Sequence, residues 1–223
     1  MKLHYHPVST TSRPIMMFIA ESGTAVDMQV VDLFTGEHYK APFEALNPNH
    51  LIPVLEDGDF RLTESSAILK YLADKANSPL YPKDLQQRAR VNERMDWVNT
   101  QLCRDLVYGV VYPQIFPNHK RRSDEAHDAT LQWGKERAQG WLKVLDDHIL
   151  GNNPYVCGSA MTIADIFCAE YVYVGEVVGS DFSAYPNVKA WLGRMKALKS
   201  WGPVHQVIDG FGGTLNKAGM VAA

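Results

Sequence analysis

Ile52-Pro53-Val54-Leu55-Glu56-Asp57-Gly58-Asp59-Phe60-Arg61-Leu62 is the stretch on which the fold turns. Two short apolar runs, 52–56 and 60–62, flank an Asp-Gly-Asp turn. Glycine there tolerates the left-handed backbone of a tight turn, so the stretch reads as a β-hairpin. After it, from about residue 64, Ala67, Ile68, Tyr71 and Leu72 recur at helical spacing. Before it, Thr35-Gly36-Glu37-His38-Tyr39-Lys40 is polar and reads as a loop. Residues 26–33 read as a strand. Upstream of that strand, residues 15–20 are almost wholly apolar, with Pro14 in a first-turn position and Gly23 as a C-cap. Residues 3–6 alternate as a strand should, and Pro7 to Ser12 form a hydroxyl-rich turn.

The order is strand, helix, strand, loop, hairpin, helix. This is the thioredoxin-like arrangement, with a mixed sheet: the crossover makes one pair parallel and the hairpin another antiparallel. Ser78-Pro79-Leu80-Tyr81-Pro82 reads as a linker, beyond which strand signals vanish. Helical stretches are expected over 85–111, 124–150, 162–178 and 188–198, punctuated by Pro113, Pro117, Gly151, Pro154, Pro186 and Pro203. The Gly-rich end, 210–223, reads as a mobile or loosely held flap. The expected class is α+β: a thioredoxin-like domain over 1–78 with a mixed four-stranded sheet, a linker over 79–85, and an all-α domain over 86–223.

Bulk properties narrow the function. The 223 residues are 46% hydrophobic and 21% charged, with net charge -3, ordinary for a globular protein. Basic residues are scattered, which argues against a nucleic-acid partner. No apolar run approaches the roughly 20 residues of a membrane span, and the N-terminus has no secretory pattern. Cys103, Cys157 and Cys168 form no CxxC pair and no zinc spacing. A reduced, cytoplasmic setting and no metal are expected.

Thioredoxin-type redox enzymes carry CxxC in the turn after the first strand. Here that turn is Pro7-Val8-Ser9-Thr10-Thr11-Ser12, hydroxyls without a thiol. Thr11 or Ser12 is expected to cap the following helix. Ser9 sits further back and is left for a ligand, beside a helix N-terminus that favours anions. A thiol supplied from outside would profit. Its pKa of about 8.5 leaves only a few per cent thiolate at neutral pH. A hydrogen bond to a charged group contributes roughly 1.5–3 kcal/mol, enough to lower that pKa by about 1–2 units.

The residues resemble cytosolic glutathione S-transferases over nearly the whole chain. The resemblance rests on Gly36-Glu37-His38, Asn47-Pro48, Ile52-Pro53-Val54-Leu55, Thr63-Glu64-Ser65-Ser66-Ala67-Ile68 and Gly158-Ser159-Ala160-Met161-Thr162-Ile163-Ala164-Asp165. The opening Tyr5-His6-Pro7-Val8-Ser9 is similar to bacterial members of theta or phi type, which use serine, with some beta-like features. Beta-type members that use cysteine place it where this chain has Thr10, and their helical-domain histidine is Leu106 here.

The resemblance implies a role for each position. Pro53 matches a cis-proline that presents the Ile52 backbone to the cysteinyl part of glutathione, as in strand addition. Glu64 and Ser65 match the pair that holds the γ-glutamyl end. His38 matches a histidine that reaches the glycyl carboxylate. Leu51 stands where related enzymes carry Lys or Gln, so Lys40 and His50 remain alternatives for that end. Asn99 matches an asparagine that contacts glutathione from the helical domain. Thr162 and Asp165 match a capping box and are assigned to folding. Ser9 is the first candidate for the thiol's donor, with Thr10 and Thr11 as rivals.

The implied activity is thiolate attack by glutathione, a co-substrate rather than a tightly bound cofactor, on a small electrophile. Dehalogenase or peroxidase side activity is compatible with the same chemistry. The electrophile is expected between the domains, near Tyr108, Tyr112 and the C-terminal tail, in a homodimer. The rival is a transferase-like binding or regulatory protein without catalysis, since fold does not set function.

Overall fold

The computed structural model describes residues 1–223. The chain divides into two compact units: Met1–Tyr81 with Lys199–Ile208, and Pro82–Leu198 with Asp209–Ala223. The segment 199–208, read from sequence as part of the helical half, is thus counted with the first unit.

In the first unit, β1 (Lys2–Tyr5), β2 (Asp27–Val30), β3 (Val54–Asp57) and β4 (Phe60–Leu62) form one sheet in the order β2-β1-β3-β4. β1 runs parallel to β2 and antiparallel to β3, which pairs antiparallel with β4. The sheet is therefore mixed, and Gly58 turns the hairpin at φ 61. Helix α1 (Arg13–Ser22) carries Pro in its first turn and ends on left-handed Gly23, whose amide reaches the Ile19 carbonyl. The one-turn helix α2 (Phe43–Leu46) and α3 (Ser65–Lys75) complete this part of the unit. Leu3, Ile15, Phe18, Leu55, Ile68, Leu69 and Leu72 are fully buried. A second cluster joins Val31, Phe43, Ile52 and Val54. Both neighbours on β1, Leu3 and His4, are buried, so both faces of the sheet are covered.

In the second unit, α4 (Leu85–Trp97) is capped by Asp84, which accepts from Gln86 and Gln87. It continues through Val98–Val111 in a wider i→i+5 winding to α5 (Tyr112–Ile115). Helix α6 (Asp124–Val144) continues likewise through Leu145–Leu150. Helix α7 (Ile163–Val177) is buried almost all round and forms the centre of the unit. Its capping box is present. Asp165, wholly buried, accepts from the Thr162 amide and hydroxyl, the Val156 amide and Trp191 Nε1. Helix α8 (Pro186–Lys196) follows.

Three expectations are corrected. The first part of the Gly-rich end is helical rather than irregular. Trp201–Thr214 form a further helix, α9. Glycine's poor helix propensity is overridden by packing: Phe211 stacks on Phe116, and a side chain at Gly212 would touch Val177. Beyond α9, Gln114 exchanges two hydrogen bonds with the Val221 backbone, at 3.0 and 2.7 Å, and the Ala223 amide donates to Ser180 at 3.1 Å. The loop over 35–40 contains a tight 3₁₀ turn, Glu37–Tyr39, because Glu37 and Asp32 accept backbone amides across it. The third concerns the helix cap and is described with the site.

Candidate active site

The hydroxyl turn hangs between β1 and α1. Ser12 occupies the position before α1, but its side chain caps nothing: its hydroxyl is buried without a partner. Neither Ser12 nor Thr11 caps the helix. The Ser12 amide instead donates to Ser9 Oγ at 3.2 Å, and the Arg13 amide to the Ser9 carbonyl at 3.2 Å. Ser9 thus caps from one turn upstream, because the backbone over 9–12 already turns. Its hydroxyl is half-buried and lies 2.9 Å from Thr11 Oγ1. Thr10 is 2% exposed, turned into the protein.

Thr11 Oγ1 donates to the carbonyl of Ile52 at 3.0 Å. The Ile52–Pro53 peptide bond is cis, and Ile52 is buried beside Val54. The turn over 9–12 and the chain entering β3 are therefore brought together from positions 41 residues apart. The β3–β4 register pairs Leu55 with Leu62. Pro53 immediately precedes β3, and Glu64 follows β4 by two residues. Glu64 has φ 65 and ψ 112, a sparsely populated conformation for a non-glycine residue, and its exposed carboxylate makes no cap bond. Ser65 begins α3 and is buried, next to amides that a helix N-terminus leaves without intrahelical partners.

His38 stands on the 3₁₀ turn, half-buried, with Nδ1 lacking a partner. Burial, followed by the nearby His50, holds its pKa below the ordinary histidine value. His50 Nδ1 donates to the His38 carbonyl at 3.0 Å, and Tyr39 lies between the two rings. Lys40 is engaged locally, donating to the Thr35 carbonyl at 3.1 Å.

Asn99 and the aromatic residues belong to the second unit. Asn99 is half-buried on the i→i+5 segment. Tyr108, Tyr112, Phe116, His119 and Phe211 form one cluster with ring centroids 5.0–6.2 Å apart. Sequence reasoning missed Phe116, His119 and Phe211 here, although the i, i+4 spacing of 108, 112 and 116 was a usable signal. It also missed Arg13, fully buried, whose guanidinium donates to the Val8 carbonyl at 2.8 Å and braces the hydroxyl turn.

The chain's own thiols are poor nucleophiles. Burial pushes Cys103 up to about 12 and Cys157 up to about 11, and Cys168 is raised as well. No group of three or more His, Cys, Asp or Glu side chains is placed to hold a metal ion, and no helix is long and apolar enough to cross a membrane.

Residues 1–74 match the N-terminal domain model of glutathione S-transferases, and residues 111–199 match the C-terminal domain model. Human glutathione S-transferase theta-2 is 33% identical over 209 residues, covering 89% of this chain and 81% of that protein. The chain belongs to the glutathione S-transferase family. A crystal structure of human glutathione transferase theta-2, in complex with glutathione and an unknown ligand, superposes with a TM-score of 0.82 at 30% identity, over 99% of this chain and 92% of that one. A delta-class glutathione transferase from Nilaparvata lugens gives 0.79 at 30% identity, over 95% and 96%. Ser9, Thr11, His38, Pro53, Glu64 and Ser65 all fall within the stretch that matches the glutathione S-transferase N-terminal model, whereas Asn99 falls in neither matched stretch.

Proposed function

We propose that this member of the family is a catalytically active transferase that binds glutathione along the Ile52–Pro53 edge and activates its thiol with Ser9. The observation that carries the reading is the 3.0 Å bond from Thr11 to the Ile52 carbonyl, which ties the hydroxyl turn to that edge. A cysteinyl residue paired with the Ile52 backbone would bring its sulfur to the turn. Glu64 accepts from the γ-glutamyl ammonium, and Ser65 with the first amides of α3 donates to the γ-glutamyl carboxylate. His38 donates to the glycyl carboxylate. Lys40 remains an alternative for that end, since its ammonium keeps two hydrogens beyond the one given to the Thr35 carbonyl. The resemblance also assigns Asn99, on the helical unit, to glutathione. Among the rival hydroxyls, Thr10 is disfavoured by its burial.

Ser9 donates to the sulfur and stabilises the thiolate while the thiol's proton leaves to solvent. The thiolate then attacks an electrophilic carbon. With an activated halide, the C–S bond forms as the C–halogen bond breaks and halide departs with the electron pair. The partly exposed cluster around Tyr108 and Tyr112 is an apolar surface of the helical unit. Peroxide reduction is a compatible side activity of the same thiolate. The family resemblance supports a homodimer in the cytoplasm.

Retention on immobilised glutathione, followed by conjugation of a chromogenic aryl halide, tests the reading. Retention with turnover is expected. Retention without turnover would favour a binding protein, and failure of both would sink the proposal.

A further inference from the structure

A single directed chain of hydrogen bonds runs through the hydroxyl turn. From it we infer that Thr11 is a positioning residue that couples occupation of the Ile52 carbonyl to the direction of the Ser9 proton. The inference rests on the reading of Ser9 as the thiol's donor.

The proton inventory fixes the direction. A threonine hydroxyl has one hydrogen, and the Ile52 carbonyl can only accept, so the 3.0 Å contact uses the Thr11 hydrogen. Thr11 then accepts from Ser9, 2.9 Å away. Ser9 in turn accepts from the Ser12 amide at 3.2 Å. The chain reads Ser12 N–H to Ser9 O–H to Thr11 O–H to Ile52 carbonyl. In this arrangement the one hydrogen that Ser9 owns points at Thr11 and away from any sulfur.

Glutathione bound along the Ile52 edge brings its own donor, the cysteinyl amide, to the Ile52 carbonyl. The coupling requires the amide to replace Thr11 on that carbonyl rather than share its second lone pair, and that replacement releases the Thr11 hydrogen. Thr11 turns it to Ser9 Oγ, and Ser9 turns its own to the sulfur. No bond is made or broken between heavy atoms, and the proton count on each hydroxyl is unchanged. Ser9 now accepts from both the Ser12 amide and Thr11, and a hydroxyl that accepts is a stronger donor. Recognition of the peptide backbone is thereby converted into stabilisation of the thiolate, and a thiol without the amide donor leaves the chain pointing the other way. The neighbouring hydroxyls have no such part: Thr10 is turned inward and Ser12 Oγ is buried without a partner.

The test is titration of the bound thiol by its ultraviolet thiolate absorbance, with glutathione affinity measured alongside. The set is the wild-type protein, Thr11→Val, Thr11→Ser, Ser9→Ala and Ser9→Ala with Thr11→Val. Cooperative strengthening of roughly 10–30% in a donation that shifts the thiol by about 1–2 pKa units predicts a rise of up to about half a unit in Thr11→Val. Thr11→Ser should restore the wild-type value, and Thr11→Val should add nothing once Ser9 is Ala. A wild-type thiol pKa in Thr11→Val with glutathione bound overturns the coupling. So does a full loss in Thr11→Val with none in Ser9→Ala, which would make Thr11 the donor itself.

A second measurement needs only the wild-type protein, so it stands even if Thr11→Val fails to fold. Glutathione methylated on its cysteinyl amide nitrogen cannot displace Thr11 from Ile52. At saturation its bound thiol should have a higher pKa than bound glutathione, each referred to the same thiol free in solution. Equal values overturn the inference. Absence of glutathione binding to the wild type would overturn the transferase reading itself, a result distinct from bound glutathione whose thiol ignores Thr11.

Discussion

The Ser12 amide donates to the Ser9 hydroxyl oxygen at 3.2 Å, while the Ser12 hydroxyl is fully buried and has no partner of its own. The residue at the capping position is therefore not the one that caps. A buried hydroxyl without a partner carries a desolvation penalty of roughly 1–3 kcal/mol. Ser12→Ala should leave stability unchanged or raise it by up to about 1 kcal/mol, in contrast to the roughly 1 kcal/mol loss of an ordinary cap removal. Urea unfolding measures it, and a loss above about 1 kcal/mol would contradict the geometry.

Ser9→Ala should behave differently on two axes. It removes the acceptor for the Ser12 amide, costing about 1 kcal/mol of stability. It also removes the proposed donor to the thiolate, raising the bound thiol's pKa by about 1–2 units. Less thiolate then exists at neutral pH, so turnover should fall about tenfold at pH 7 and recover as pH rises toward the new pKa. A pH–rate profile that does not move would remove Ser9 from the chemistry.

The hairpin at Asp57-Gly58-Asp59, the helix stop at Gly23 and the capping box of Thr162 and Asp165 were legible because each is a local contract between residues a few positions apart. The Ser9–Thr11–Ile52 connection was not, because its last bond spans 41 positions. Glu64 was legible as a residue but not in its φ of 65, which local sequence disfavours. The helix Trp201–Thr214 was hidden by its glycines, since the stacking of Phe211 on Phe116 joins residues far apart in the chain.

Gly134 on α6 lies against Gly109, where a Cβ added to Gly134 would stand 2.6 Å from the Gly109 carbonyl carbon and 2.7 Å from its oxygen. Both obstacles are backbone, so the two helical segments would have to part. Gly134→Ala should cost about 1–3 kcal/mol by overpacking, a fall in Tm of several degrees for a chain of this size. Gly140, on the same helix, has open space around it. Gly140→Ala should gain up to about 1 kcal/mol from helix propensity. Equal Tm shifts for the two substitutions would refute the close approach.

Asp105 governs an acid limb of stability. Burial acts to raise its carboxyl. Hydrogen bonds from Arg104 and Trp141, with the Arg104 and Arg137 charges, outweigh burial and leave the carboxyl below the usual carboxylate range. A depressed folded pKa contributes stability that is fully present above the unfolded value of about 3.9 and is lost as pH falls through the folded value. Unfolding midpoints in urea, followed from about pH 6 downward, should fall less steeply below about pH 4 in Asp105→Asn than in the wild type. Parallel slopes would show that Asp105 does not report there.

Gln114 should control the order of the C-terminal tail. Its side chain donates to the Val110 and Val221 carbonyls at 2.8 and 3.0 Å and accepts from the Val221 amide at 2.7 Å. The Ala223 amide has a separate partner in Ser180. Gln114→Ala removes both bonds to Val221 without touching a core residue. At about 1 kcal/mol for each bond, opening of the tail should become roughly tenfold or more easier. Hydrogen exchange at the Val221 amide reads this directly, and carboxypeptidase trimming should accelerate with it. Gln114→Glu keeps an acceptor but loses both donated bonds, so it should fall between the wild type and Gln114→Ala. Val221 protection that survives Gln114→Ala intact would mean that the tail is held by other contacts, and the two-bond clamp would lose its role.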